Sequence, residues 1–166
     1  MSSNKTEIVR DFPAKSINVI REFAAPVEKV WRAFTEAALL DQWWGPSPWR
    51  AETKHMDFSV GGHWLYAMVS PEGEKHWGRM NYVGITRHHH YDFEDGFCGE
   101  DGVLSPEMPL GNGTTSFIPT ATGTRVEMMS YHPTEADMQA IIEMGFEEGI
   151  TQCFEQLADL LPNIKA

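Results

Sequence analysis

The C-terminal third of the chain contains the longest regular pattern of apolar and polar positions. Its apolar residues recur at steps of three and four, as on one face of a helix: Met138, Ile141, Ile142, Phe146, Ile150, Cys153, Phe154, Leu157, Leu160 and Leu161. Thr134 with Asp137 three residues later indicates an N-terminal cap, and Pro162 favours an end. The pattern predicts one helix over residues 134–161, about 42 Å long at 1.5 Å per residue.

Two glycines, Gly145 and Gly149, lie one turn apart inside this predicted helix. Each costs about 1 kcal/mol relative to alanine in a helix interior, so another factor must favour them. Either the sheet approaches the helix backbone too closely for a methyl group, or the missing side chains leave room for a ligand. We favour the second explanation at Gly149.

The N-terminal part predicts a strand followed by two short helices. Residues 1–13 are interpreted as a tail or a weakly fixed strand, because Pro13 interrupts the pattern. Residues 16–23 predict the first regular strand. One helix begins at Ala25-Pro26, and a second covers residues 36–43.

The middle of the chain alternates as strands joined by hairpins do. The predicted strands are residues 49–58, 63–69, 75–85, 88–97, 114–119 and 125–132. Residues 98–113, rich in glycine, proline and acid, are interpreted as a loop. This order predicts an α+β fold in which an antiparallel sheet of about seven strands is covered by the C-terminal helix.

Composition and charge narrow the class of protein. A chain of 166 residues with 42% apolar residues can form one domain with a substantial core, here residues 14–166. The 13 basic and 24 acidic side chains give a formal charge of -11, which disfavours nucleic acid and anionic membrane surfaces as partners. Residues 1–7 lack the apolar segment of a signal peptide, and two unpaired cysteines, Cys98 and Cys153, suit a reducing compartment. We therefore expect a cytoplasmic protein.

Several short motifs, taken together, resemble a known family. They are Ala25-Pro26, Val30-Trp31, Phe34-Thr35, Leu39-Leu40, Trp43-Trp44-Gly45-Pro46, Gly61-Gly62, Pro71-Glu72-Gly73 and Met144-Gly145-Phe146-Glu147-Glu148-Gly149, with Leu157 and Leu160-Leu161. From about residue 14 to 161 the chain is similar to the bacterial branch of the family named for the activator of the Hsp90 ATPase. The resemblance implies the START-like helix-grip fold of the SRPBCC superfamily, in which a curved antiparallel sheet wraps the C-terminal helix and a cavity lies between them. That superfamily mixes carriers, cyclases, hydroxylase domains and co-chaperones, so the resemblance leaves the function open.

Aromatic residues and methionines are abundant, with six Trp, nine Phe and nine Met. They can be core residues, or they can form an adaptable apolar surface for a small hydrophobic or amphipathic ligand. We predict that the following residues bind such a ligand: Trp44, His55, Trp64, Tyr66, Met68, Met80, Tyr82, Met128, Ser130, His132, Phe146 and Gly149.

Histidines are the candidate acid–base groups. His55 and His132 each lie in an apolar stretch, where a buried neutral imidazole can act as an acid or base or can simply be a hydrogen-bonded core residue. The run from His88 to His90 alternates between the two faces of a strand, so we predict no metal site there. No cofactor motif is present either.

Three classes of function therefore stay open: binding of a small molecule, a lyase or cyclase using the same cavity, and a protein-interaction domain such as a co-chaperone. The chain has no nucleophile elbow, phosphate loop or dinucleotide fingerprint, so no catalytic residue is assigned. An exposed Trp43 or Trp49 would favour the third class and a chaperone partner. A homodimer is also compatible with the sequence.

Overall fold

One antiparallel sheet of eight strands forms the frame of the protein in a computed structural model that describes residues 5–106 and 110–165. Its elements, in chain order, are β1 Glu7–Asp11, β2 Ser16–Phe23, α1 Val27–Thr35, α2 Ala37–Trp43, β3 Arg50–Met56, β4 His63–Val69, β5 Lys75–Thr86, β6 His90–Cys98, β7 Leu110–Pro119, β8 Thr124–Tyr131, α3 Glu135–Glu143 and α4 Phe146–Leu160. A short 3₁₀ turn, Leu161–Asn163, follows.

The strand order is β1-β2-β8-β7-β6-β5-β4-β3. Strands from β3 to β8 follow one another as hairpins, and β2 pairs with β8, which joins the start of the chain to its end. The predicted α+β fold, with a curved antiparallel sheet under C-terminal helices, is confirmed, with eight strands instead of about seven.

The N-terminal segment is more ordered than predicted. Glu7–Asp11 forms the edge strand β1, paired in antiparallel register with β2. Arg10 on this strand makes two hydrogen bonds of 2.6 Å to the carboxylate of Glu147 on α4. Of the two alternatives given for residues 1–13, a tail or a weakly fixed strand, Glu7–Asp11 forms the strand, while residues 1–4 lie outside the described part.

The prediction of a single C-terminal helix is wrong, because Gly145 separates α3 from α4. Thr134 caps α3 as expected, accepting a hydrogen bond of 3.0 Å from the Asp137 amide. Gly145 has φ +90, the left-handed conformation in which glycine commonly ends a helix. This backbone conformation explains Gly145, so neither of the explanations offered for it from the sequence applies.

The other helix and strand boundaries differ from the predicted ones by a few residues, and the start of β7 is the difference that matters for the site. That strand begins at Leu110, inside the segment predicted as a loop over residues 98–113. Residues 107–109 of the predicted loop lie outside the described part. The extra residues matter because they place Gly111 opposite Asp95 in the sheet.

The main core lies between α4, the two N-terminal helices and one half of the sheet. Phe154 on α4 is fully buried, and its ring lies 5.5 Å from Phe23, 6.2 Å from Phe34 and 6.1 Å from Trp43. These edge-to-face and tilted contacts are favourable geometries for aromatic pairs. They fix how α4 crosses the sheet.

We predict that Gly145→Ala lowers the free energy of unfolding by about 1–2 kcal/mol, because a side chain disfavours the left-handed conformation. Urea unfolding of the purified variant measures the loss. The site itself has room, since the nearest atom to an added Cβ is Glu148 Oε1 at 3.8 Å. Gly145→Asn should lose less than Gly145→Ala, because asparagine tolerates this conformation better. Equal stability of wild type and Gly145→Ala would contradict the argument.

Candidate functional site

A cavity of about 270 Å³ lies between the concave face of the sheet and helices α3 and α4. Its lining includes most of the residues predicted from the sequence: Trp44, Tyr66, Met68, Met80, Met128, Ser130, His132, Phe146 and Gly149. Ile141, Ile150 and Cys153 complete the helical side. That any of these residues contacts a ligand stays a prediction.

Three predicted residues do not line the cavity. His55 follows a register shift in β3 between Thr53 and His55, and it is exposed beside His63. Trp64 is buried beneath Tyr66, with ring centroids 4.1 Å apart. Tyr82 is buried, with its ring 4.6 Å from the ring of Phe58. The alternation of apolar and polar residues correctly predicted that Trp64 and Tyr82 point inward. Both side chains lie deeper in the core than the residues that line the cavity.

Hydrogen bonds from α4 hold the loop that supplies one side of the cavity. Gln156 Nε2 donates to the carbonyl oxygens of Trp43 at 3.0 Å and Gly45 at 2.9 Å. Its Oε1 accepts from the Ser47 amide at 2.8 Å. The lining residues of this loop, Trp44 and Pro46, are thereby fixed relative to the helix.

Asp95 is a lining residue that the sequence analysis missed. It lies on β6, where Tyr91, Phe93 and Phe97 share its inward face. Burial raises the pKa of its carboxyl to about 6, although a hydrogen bond with its own backbone acts in the opposite direction. The signal in the sequence that could identify it is an acidic residue at an otherwise apolar, inward position of the alternating strand β6.

His132, directly after β8, is the second polar group of the cavity. It is buried, and neither ring nitrogen has a hydrogen-bond partner among the residues that the structure describes. Desolvation lowers the pKa of its imidazole, partly offset by Asp137. The ring is therefore neutral at neutral pH, with one nitrogen available to accept and the other to donate.

Asp95 and His132 face the same small volume because Gly111 has no side chain. Asp95 Oδ1 lies 3.0 Å, and His132 Cε1 3.8 Å, from the point where a Cβ on Gly111 would stand. In the β6–β7 register, Asp95 is directly opposite Gly111. The carboxyl and the imidazole therefore converge across this glycine.

Two further titratable lining groups, Tyr66 and Cys153, are neutral. Desolvation raises the pKa of the Tyr66 hydroxyl well above its ordinary value and that of the Cys153 thiol to about 11. Cys153 Sγ also accepts a hydrogen bond from the Gly45 amide at 3.2 Å. A protonated, buried thiol is a poor nucleophile, so Cys153 is structural.

Within residues 5–106 and 110–165, no group of three or more His, Cys, Asp and Glu side chains has an arrangement that could hold a metal ion. The helices in the same residues include none with the length and apolar character needed to cross a membrane.

We predict that Asp95→Asn raises the free energy of unfolding near pH 7.5 by about 1–2 kcal/mol. The wild-type carboxyl has a pKa of about 6 in the folded protein, against about 3.9 when unfolded. The unfolded chain therefore releases this proton at lower pH, and wild-type stability falls as pH rises between about 4 and 6. Asparagine cannot ionise, so the difference between variant and wild type should vanish near pH 4.

Urea unfolding at both pH values measures this difference. Glu94→Gln is the matched control, since Glu94 is the exposed neighbour of Asp95 on the same strand and should show no such pattern. Destabilisation by Asp95→Asn near pH 7.5 would mean that the protein already stabilises the carboxylate.

Comparison with known proteins agrees with the fold. Residues 24–162 match the family described as Activator of Hsp90 ATPase homolog 1-like protein. A protein from Arthrobacter aurescens is 33% identical, with 95% of this chain and 92% of that chain covered and a TM-score of 0.88. Protein Ms6760 from Mycobacterium smegmatis is 27% identical, with 97% and 99% covered and a TM-score of 0.88.

A third structure, from Staphylococcus epidermidis, is 27% identical, covers 96% of each chain and has a TM-score of 0.82. A search of curated proteins finds no match. The resemblance seen in the sequence motifs is confirmed over nearly the whole span in which it was noted. The chain belongs to the Activator of Hsp90 ATPase homolog 1-like family.

Proposed function

We propose that this protein binds a small hydrophobic or amphipathic molecule in the cavity between the sheet and helices α3 and α4. The observation that carries the proposal is the composition of this 270 Å³ space, whose walls are mainly aromatic, methionine and aliphatic side chains with a few polar groups. Such walls are typical of small-molecule sites, and the volume is near the lower end of their usual range of about 300–1,000 Å³.

The walls favour an apolar occupant over water. Met68, Met80 and Met128 offer no strong hydrogen-bonding groups, and Phe146 lies on the opposite, helical side. Water beside such surfaces has few partners, so its displacement by an apolar group is favourable. The flexible methionines can also adjust to the shape of the ligand.

A lyase or cyclase acting in the same cavity is a second candidate, favoured by the convergence of Asp95 and His132. At neutral pH both groups can accept a proton, while the neutral Tyr66 hydroxyl can donate one. This arrangement supplies an acid and bases without a nucleophile. An enzyme would convert a bound substrate, whereas a carrier would release it unchanged.

Protein interaction has less support. Trp43 is buried, and Trp49 is half-buried with its ring 5.6 Å from His76. The exposed tryptophan that would favour a chaperone partner is therefore absent at both positions.

The two free, buried cysteines, Cys98 and Cys153, support a cytoplasmic location.

We predict saturable binding of N-phenyl-1-naphthylamine, a neutral dye that fluoresces in apolar surroundings, with one site per chain. Native mass spectrometry of protein purified from its own source should also show a retained small molecule, which would identify the ligand class. Absence of dye binding together with a bare protein mass would contradict the proposed function.

We also predict that Gly149→Ala raises the thermal midpoint and weakens dye binding. The nearest atom to an added Cβ is Pro46 Cγ at 3.7 Å, an ordinary contact, so the gain of about 1 kcal/mol in helix propensity is kept. The methyl group would also occupy space at the wall of the cavity. Glu148→Ala, at the exposed neighbouring position, is the control and should leave dye affinity unchanged. A lower midpoint with unchanged affinity would assign Gly149 to backbone packing alone.

A further inference from the structure

We propose that the ligand is a small primary amine with an apolar tail, whose ammonium group binds between Asp95, Ser130 and His132. The inference rests on the proposed function and specifies the ligand of the same cavity. It follows from three hydrogen-bond acceptors at one end of the cavity and from a carboxylate that lacks a counter-ion there.

The acceptors come from two strands that Gly111 brings within reach of one group. Asp95 and His132 converge across this glycine, at 3.0 Å and 3.8 Å from its Cβ position. Ser130 precedes His132 by two residues, so both lie on the same face of the chain, and both line the cavity. Ser130 donates its proton to the carbonyl of Ile17 at 3.3 Å, which leaves the hydroxyl oxygen able to accept.

A primary ammonium matches this set because it has three N–H donors and no acceptor. One bond to the carboxylate, one to the unprotonated nitrogen of His132 and one to Ser130 would use all three. A hydroxyl group offers only one donor. A ligand carboxylate would add a second negative charge beside Asp95, which is unfavourable in a poorly solvated site.

The charges around Asp95 favour a cation in the ligand. Tyr66 from β4 and Cys153 from α4 are neutral, and β7 contributes Gly111. Helix α3 contributes the apolar Ile141 and the acidic Asp137, which acts on His132. Arg79 from β5 is the cationic residue among the described lining residues.

The Arg79 guanidinium is engaged elsewhere. Its Nε donates to Asn81 Oδ1 at 2.7 Å, and its Nη1 donates to the Gly102 carbonyl at 3.2 Å. The carboxylate of Asp95 is thus left for a cation from outside. The formal charge of -11 on the chain adds a general attraction for such a ligand.

Four compounds with an eight-carbon chain test the inference: octylamine, octyltrimethylammonium, octanol and octanoate. Each is titrated into the full chain near pH 7.5, with displacement of the neutral dye as the readout. We expect octylamine to bind at least about tenfold more tightly than octanoate, and more tightly than octanol. Its affinity should also exceed that of octyltrimethylammonium, which has the positive charge but no N–H donor.

Asp95→Asn should remove the preference for octylamine, while Glu94→Gln should retain it. Equal or tighter binding of octanoate, or a preference that persists in Asp95→Asn, would overturn the inference but leave dye binding and the proposed function intact. Failure of the dye and all four compounds to bind would instead refute the proposed function itself.

A pH series on the wild type gives a second test if Asp95→Asn does not fold. An alkylamine stays protonated below about pH 10, as a lysine side chain does. Octylamine affinity should fall between about pH 7.5 and 5, as Asp95 and His132 gain protons, while octanol affinity should change little. An octylamine affinity that does not change over this range would overturn the inference.

Discussion

Packing of α4 across the concave face of the sheet is the contact on which the rest of the structure depends. Phe154 lies at its centre, fully buried among Phe23, Phe34 and Trp43. This one side chain connects the helix to β2, α1 and α2, elements distant in sequence. Burial of a phenylalanine is worth about 1.5–3 kcal/mol in transfer free energy alone, a large share of the stability of a small domain.

The two halves of the concave face are filled differently, and this creates the cavity. Near Phe154, aromatic rings from the sheet and both N-terminal helices meet, with Phe34 only 4.8 Å from Trp43. Around the cavity, glycines stand in place of larger residues at Gly111 on β7 and at Gly149 on α4. The helix is therefore anchored at one end of the sheet and leaves space at the other.

The polar groups at one end of the cavity lower the stability of the protein when no ligand is bound. Asp95 ionises in a poorly solvated position, and His132 has two unpartnered ring nitrogens among the described contacts. Buried polar groups without partners typically cost about 1–3 kcal/mol each. Residues that reduce stability in this way are expected at functional sites, where a ligand can supply the missing partners.

The local periodicity of apolar residues was sufficient to predict much of the fold and of the cavity wall. The period of two along β4 and β8 turned Tyr66, Met68 and Met128 inward, and the three-to-four spacing near the C-terminus identified the apolar face of the last helices. These features depend on backbone geometry within single elements, so they can be predicted from neighbouring residues.

Other features depended on the tertiary structure. Apolar spacing continues across Gly145, so periodicity alone could not reveal that α3 and α4 are separate helices. The register shift in β3 lies between Thr53 and His55, and His55 is exposed. The convergence of Asp95 with His132 requires the pairing of β6, β7 and β8, and no local pattern encodes it. The sequence alone determined which faces are apolar, and the long-range strand pairing determined which polar groups meet between them, because that pairing joins residues far apart in the chain.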